Sequence, residues 1–225
     1  MPVTNTTPPS LSILHQPNRW IGRIRIPEYW YYAGNKELLN CSKKVLLLTK
    51  RNRHAVSDEV VCQILDSLQK HQGVLVLIRL LPMGQFIVDE AIARGIPIII
   101  VLHRFATSVQ DYPEMFNSIL EHNSLFINAV NVNRPANNAP VHSFMFASYL
   151  ADAMIPINNA LHGRKYRDLF YLPVNHERQI WLHGLPPSVT EEDKSKYLDG
   201  LRYYGKAQGA QLVGLGRLDQ KIADL

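Results

Sequence analysis

Residues 44–102 read KVLLLTKRNRHAVSDEVVCQILDSLQKHQGVLVLIRLLPMGQFIVDEAIARGIPIIIVL. Val45-Leu46-Leu47-Leu48 is a short continuous apolar run, the pattern of a strand buried on both faces, and it predicts a central strand. Ser57 stands as an N-cap, after which Val60, Val61, Ile64, Leu65 and Leu68 recur at helical spacing up to Gly73. The cycle then repeats. Val74 to Leu80 predicts a strand, Gln85 to Arg94 a helix stopped at Gly95, and Pro97 to Leu102 the next strand. Alternation of this kind, with crossovers of a dozen or more residues, builds a parallel sheet with helices on both faces. The predicted fold class is α/β, Rossmann-like and mostly parallel.

The same pattern continues downstream. Tyr112 to His122 predicts a helix with Met115, Phe116, Ile119 and Leu120 on one face, and Ser124 to Val130 a strand. The Asn/Pro-rich segment Asn131 to Pro140 predicts an exposed connection before a short helix over Ser143 to Leu150. Ala153 to Ile157 and Leu169 to Leu172 read as strands on either side of the basic Gly163–Arg167 segment. Ser188-Val189-Thr190-Glu191 has capping-box spacing for a helix over Glu191 to Tyr204, and Ala210 to Leu215 reads as a last strand. Upstream, Trp20 to Ile26 predicts an edge strand ended by Pro27. Residues 1–18, rich in Thr, Pro, Ser and Asn without periodicity, predict a disordered lead-in. The expected organisation is this lead-in followed by one Rossmann-like domain over 19–225.

A chain of 225 residues can bury a sizeable core without staples. Its two cysteines, Cys41 and Cys62, have no disulfide or zinc spacing and are expected to be reduced thiols inside a cell. Met1 to Ser10 does not resemble a secretory signal, and the longest apolar runs fall far short of the roughly 18 residues of a membrane span. A soluble cytoplasmic protein with no membrane partner is expected. The net charge of +5 suits a partner carrying phosphates.

In a doubly wound sheet, ligands bind beyond the carboxyl ends of the strands. The segments after Leu48, Leu80 and Leu102 carry Lys50, Arg51 and Arg53, then Pro82-Met83-Gly84 with Arg79 just upstream, then His103-Arg104. If the strands are neighbours, these cations form one basic rim suited to phosphate; otherwise they are ordinary solvated side chains. The chain has no G-x-G-x-x-G turn after a strand, no P-loop, no G-x-S-x-G elbow and no H-E-x-x-H. Its nine histidines show no metal spacing. No catalytic residue, cofactor or metal is therefore assigned. Gly214-Leu215-Gly216 reads as a turn, and Glu191-Glu192-Asp193 as acids complementing a helix dipole. The aromatic run Tyr29-Trp30-Tyr31-Tyr32 fits strand pairing or core packing, with base stacking as the alternative.

Several segments, taken in order, resemble the DNA-processing protein A (DprA/Smf) family over about residues 25 to 175. Ala33-Gly34-Asn35-Lys36-Glu37-Leu38-Leu39-Asn40, followed by Val45 to Asn52, is similar to the family's GN-x-x-LL lead-in and first strand, and Arg51 falls on the family arginine. Ala91 to Leu102 resembles its next helix and strand. Asp111-Tyr112-Pro113-Glu114-Met115-Phe116-Asn117 resembles its YP-x-x-N segment. Gly163-Arg164 with Leu169 to Val174 resembles its GR-x-V strand, and Gly209 to Val213 its GA-x-L. The chain departs from the pattern where Thr49-Lys50 replaces Gly-Ser, where Ile78 to Gln85 replaces a glycine-rich loop, and near Phe144 to Ser148, where an Arg-Asn-Arg loop is missing. The resemblance implies a non-enzymatic protein that binds single-stranded DNA, and the cations expected to neutralise its backbone here are Lys50, Arg51, Arg53, Arg79, Arg104 and Arg164. It further implies a role in DNA uptake and recombination, with a recombinase and a second copy of the chain as candidate partners. Two other readings stay open: a nucleotide-binding enzyme or sensor of a related fold, and a scaffold whose pocket has decayed.

Overall fold

The computed structural model describes residues 11–16, 19–21, 24–26, 28–48, 55–78, 82–102, 113–128, 139–157, 179–183, 210–213 and 215–225. The described strands are β1 (Ser12–His15), β2 (Arg19–Ile21), β3 (Ile24–Ile26), β4 (Tyr29–Gly34), β5 (Lys44–Leu48), β6 (Val74–Ile78), β7 (Ile98–Val101), β8 (Ser124–Asn128), β9 (Ala153–Pro156), β10 (Gln179–His183) and β11 (Ala210–Val213). The described helices are α1 (Ala55–Lys70), α2 (Pro82–Ala93), α3 (Pro113–Leu120), α4 (Ala139–Leu150) and α5 (Leu215–Ala223), with a 3₁₀ turn at Lys36–Asn40.

Nine strands form one sheet in the order β1-β4-β8-β7-β6-β5-β9-β10-β11. The seven from β8 to β11 run parallel. Strands β4 and β1 add an antiparallel margin beside β8. From β5 the chain steps outward through β6 and β7 to β8, then returns to lay β9 on the other side of β5. Right-handed crossovers that move in one direction must share a face of the sheet, and a reversal must change it. The packing follows that rule. Val60, Ile64 and Leu68 of α1, Ile87 and Ala91 of α2, and Phe116 and Ile119 of α3 share a core with Val45, Leu47, Leu75, Leu77, Ile98, Ile100 and Phe126. On the opposite face, Phe144, Phe146, Ala147 and Leu150 of α4 pack on Leu46, Leu48, Val76, Ile99 and Met154. Successive residues of β5 thus feed opposite cores, which is why the run Val45–Leu48 shows no polar alternation.

The carboxyl-terminal helix is fastened to α1 by ionic contacts. Asp219 accepts from Ser67 Oγ at 2.9 Å and from Lys70 Nζ at 2.6 Å, and lies 2.9 Å from His71 Nε2. The hydrogen bond from Lys70, helped by those of Ser67 and His71, holds the Asp219 carboxyl down at about 2. Lys43 Nζ donates to the Ala223 carbonyl at 2.6 Å, satisfying one of the carbonyls left open at the end of α5. Between α1 and α2, Arg94 Nε donates to Asp66 at 2.7 Å while its Nη1 contacts Glu90. These hydrogen bonds, that of Asp66 first, raise the Arg94 pKa above its ordinary value. Burial, with Glu90 close by, pushes the neighbouring Cys62 thiol up.

Four sequence expectations are corrected. Within the expected lead-in 1–18, Ser12–His15 is a strand, because β4 offers it a paired edge with Ile13 opposite Tyr31. The single edge strand over Trp20 to Ile26 is instead two short strands, β2 and β3, paired antiparallel in a separate sheet. Ser57 is not the cap of α1, which begins at Ala55 and holds Ser57 in its first turn. Leu215 and Gly216 open α5 rather than forming a turn, since Leu218 and Ile222 find burial against the α1 core. Strand β10 lies in a segment for which no element was predicted. The expected strand at Leu169 to Leu172 and the helix over Glu191 to Tyr204 lie outside the described residues.

Candidate nucleic-acid interface

The carboxyl ends of β7, β6, β5 and β9 stand side by side. With neighbouring strands about 4.8 Å apart, they span roughly 14 Å. Between β5 and β9 the direction of strand addition reverses. This is the switch point at which a crevice opens in such sheets, because consecutive connections leave toward opposite faces. Backbone bonds carry the ladder past the strand ends and stiffen this margin. Ile157 N donates to Leu48 O at 2.8 Å, and Leu102 N donates to Ile127 O at 2.9 Å. Ser143 Oγ, buried in α4, reaches the Leu102 carbonyl at 3.4 Å.

Helices that follow parallel strands begin at this same end, so their amino termini bring unpaired N–H groups and positive dipole ends to the margin. Helix α2 begins with Pro82 and α3 with Pro113, residues suited to a first helical position because no N–H is lost there. Gly84, in the first turn of α2, is buried. Asp58, partly buried, is the acid of the first turn of α1. No motif in the sequence singles it out beyond its place in the first turn of the helix that follows β5.

The six predicted contacts, Lys50, Arg51, Arg53, Arg79, Arg104 and Arg164, lie outside the described residues. What the structure brings together is the strands that precede them. Lys50, Arg51 and Arg53 follow β5, Arg79 follows β6 directly, Arg104 follows β7, and Arg164 follows β9. Among the described residues there is no group of three or more His, Cys, Asp or Glu side chains that could hold a metal, and no helix long and apolar enough to cross a membrane. Of the aromatic run, Trp30 is buried, meeting Phe146 and Tyr149 edge to face, and Tyr29 is exposed beside His15.

No family model matches the chain, and no curated protein matches its sequence. Solved structures do match. DNA processing protein A from Helicobacter pylori, a structure described for its single-stranded DNA binding mode, superposes with a TM-score of 0.68 at 15% identity, over 96% of this chain and 95% of that one. DNA processing protein A from Streptococcus pneumoniae superposes with a TM-score of 0.64 at 15% identity, over 87% of this chain and 66% of that one. At such identity the likeness is one of fold, and it agrees with the segments compared above: the chain carries the Rossmann-like fold of DNA processing protein A, the family its sequence resembles.

Proposed function

We propose that the chain is a non-enzymatic protein that binds single-stranded DNA, of the DNA processing protein A type, acting in the cytoplasm in DNA uptake and recombination. One observation carries this reading: the four strands that precede the six predicted cations are contiguous in the sheet and include both sides of the switch point. Cations on one margin neutralise successive phosphates and release the counterions condensed on the strand, which favours binding without reading sequence. The helix amino termini at the same margin add N–H donors for phosphate oxygens. The Helicobacter pylori protein, whose fold this chain shares, binds single-stranded DNA. A recombinase that receives the bound strand, and a second copy of the chain, are the partners this role calls for.

A second reading is favoured by the switch point itself, where folds of this class hold free nucleotides. Fluorescence anisotropy with a labelled single-stranded oligonucleotide at low salt, alongside thermal shifts with free nucleotides, separates the two. The proposal expects oligonucleotide binding weakened by Arg51→Ala and no shift with nucleotides. A nucleotide at 100 times its dissociation constant would instead stabilise the fold by about 2.7 kcal/mol, and that result without oligonucleotide binding overturns the proposal.

A further inference from the structure

The ribbon of β2 and β3 pairs with no other described strand, and its place follows from the strands that flank it. Strands β1 and β4 pair antiparallel from Ser12 opposite Tyr32 to His15 opposite Tyr29, and just beyond that pair Gln16 N donates to Glu28 O at 2.7 Å. β2 starts at Arg19 and β3 ends at Ile26, so only a few residues separate the ribbon from that last bond. At no more than about 3.6 Å per residue, its base is tied within about 11 Å of this end of the β1–β4 pair. The same end of the sheet carries the proposed DNA contacts. β4 runs against β8 with Tyr31 opposite Asn128 and Gly34 opposite Leu125, so the start of β4 lies beside the carboxyl end of β8. The carboxyl margin therefore continues from β7 through β8 and β4 to β1. At about 4.8 Å per strand this adds about 14 Å, and the ribbon stands at the far end.

Composition is the second, independent observation. Residues 19–26 read RWIGRIRI, three arginines and no acid, and from Leu11 to Tyr29 the one acidic residue is Glu28. In register, Arg19 pairs with Ile26 and Trp20 with Arg25. At the foot of the ribbon Tyr29 is 54% exposed, with its ring edge-on to that of His15 at 5.3 Å. Arginines neutralise phosphates, while Trp and Tyr offer planes on which bases of any identity stack. A single strand presents phosphates and unstacked bases together; a duplex keeps its bases stacked inside the helix.

We infer that the β2–β3 ribbon is a second nucleic-acid contact, an arm that receives the single strand where it leaves the carboxyl margin. Arg19 and Arg25 meet phosphates, and Trp20 and Tyr29 meet bases. The inference rests on the DNA reading of that margin and lengthens its track, but it uses none of the six margin cations.

Fluorescence anisotropy of the full chain with oligothymidylates of about 8 and about 24 nucleotides tests it, the shorter serving the margin alone and the longer also reaching the arm. In the double variant Arg19→Gln/Arg25→Gln, affinity for the longer strand should fall about ten-fold or more. Its slope of log affinity against log salt should flatten by about 1.4, two phosphate contacts at about 0.7 each. Tyr29→Ala should weaken the longer strand about five-fold or more, the loss of one stacked base. The shorter strand should bind every variant within about two-fold of the parent, which also shows that the sheet is intact. Unchanged affinity for the longer strand in either variant, or equal weakening of both lengths, overturns the inference and leaves the DNA reading standing. Parent protein that binds neither length overturns the DNA reading and the arm with it.

Discussion

Replacing Gly34 with alanine should destabilise the fold far more than the same change at Gly95, although both glycines have positive φ. Gly34, at the end of β4, has φ +100°, and a Cβ there would stand 2.3 Å from the Ser124 carbonyl oxygen and 2.9 Å from Leu120 Cδ2. The Ser124 oxygen cannot retreat freely, because it accepts the Asn35 N–H at 2.8 Å. Gly95 has φ +67° with nothing within 4 Å of its added Cβ. Gly95→Ala therefore meets only the left-handed backbone cost, about 1–2 kcal/mol. Gly34→Ala adds overpacking of about 1–3 kcal/mol to a backbone cost of about 1–3 kcal/mol, giving about 2–6 kcal/mol in all. For a chain of this size that lowers the melting temperature by about 4–24 °C. Urea unfolding of both variants reads the difference directly. If Gly34→Ala unfolds within about 0.5 kcal/mol of Gly95→Ala, the close approach of β4 to the start of β8 is not as described.

Other expectations rest on separate contacts. Phe126→Ala, at a fully buried side chain whose ring centroid lies 4.2 Å from that of the tilted Phe116 ring, should cost about 3–5 kcal/mol in urea unfolding; Ile13→Ala, at a residue 60% exposed, should stay within about 0.5 kcal/mol of the parent. Because Asp219 is held at about 2, below the ordinary 3.8, its contribution is complete above about pH 4 and is lost as pH falls toward 2. Stability measured from pH 6 to pH 2 should therefore fall less steeply in Asp219→Asn below pH 4, and equal slopes would contradict the fastening of α5. A double-mutant cycle on Arg94 and Asp66 should give a coupling of about 0.5–1 kcal/mol, modest because the Asp66 side chain is 62% exposed and screened by water.

The interior of the sheet is legible where local pattern and global burial agree. Val45–Leu48, Val74–Leu77 and Ile98–Val101 are apolar without alternation, and each is buried on both faces. The margins are harder, since their pairing depends on residues far away in sequence. Ser12–His15 carries no strong strand signal and is ordered by Tyr29–Tyr32, while α5 starts among glycines and is held by Ser67, Lys70 and His71, about 150 positions earlier. Tertiary contacts there override local propensity. For the candidate interface, the sequence shows cations following strands, and the strands they follow are adjacent in the sheet. That β9 inserts beside β5 was not legible, because no local periodicity encodes strand order; the reversal that makes the switch point belongs to the folded topology alone.

The salt dependence of single-stranded DNA binding tests the proposed cationic margin most directly. Six phosphate contacts on a single strand predict a slope of log affinity against log salt of about −4, hence about a 300-fold loss between 50 and 200 mM salt. Arg51→Gln, Arg79→Gln, Arg104→Gln and Arg164→Gln should each flatten that slope by about 0.7. Binding whose slope none of the four substitutions alters, or no binding at 50 mM salt, would contradict a margin built from four adjacent strand ends.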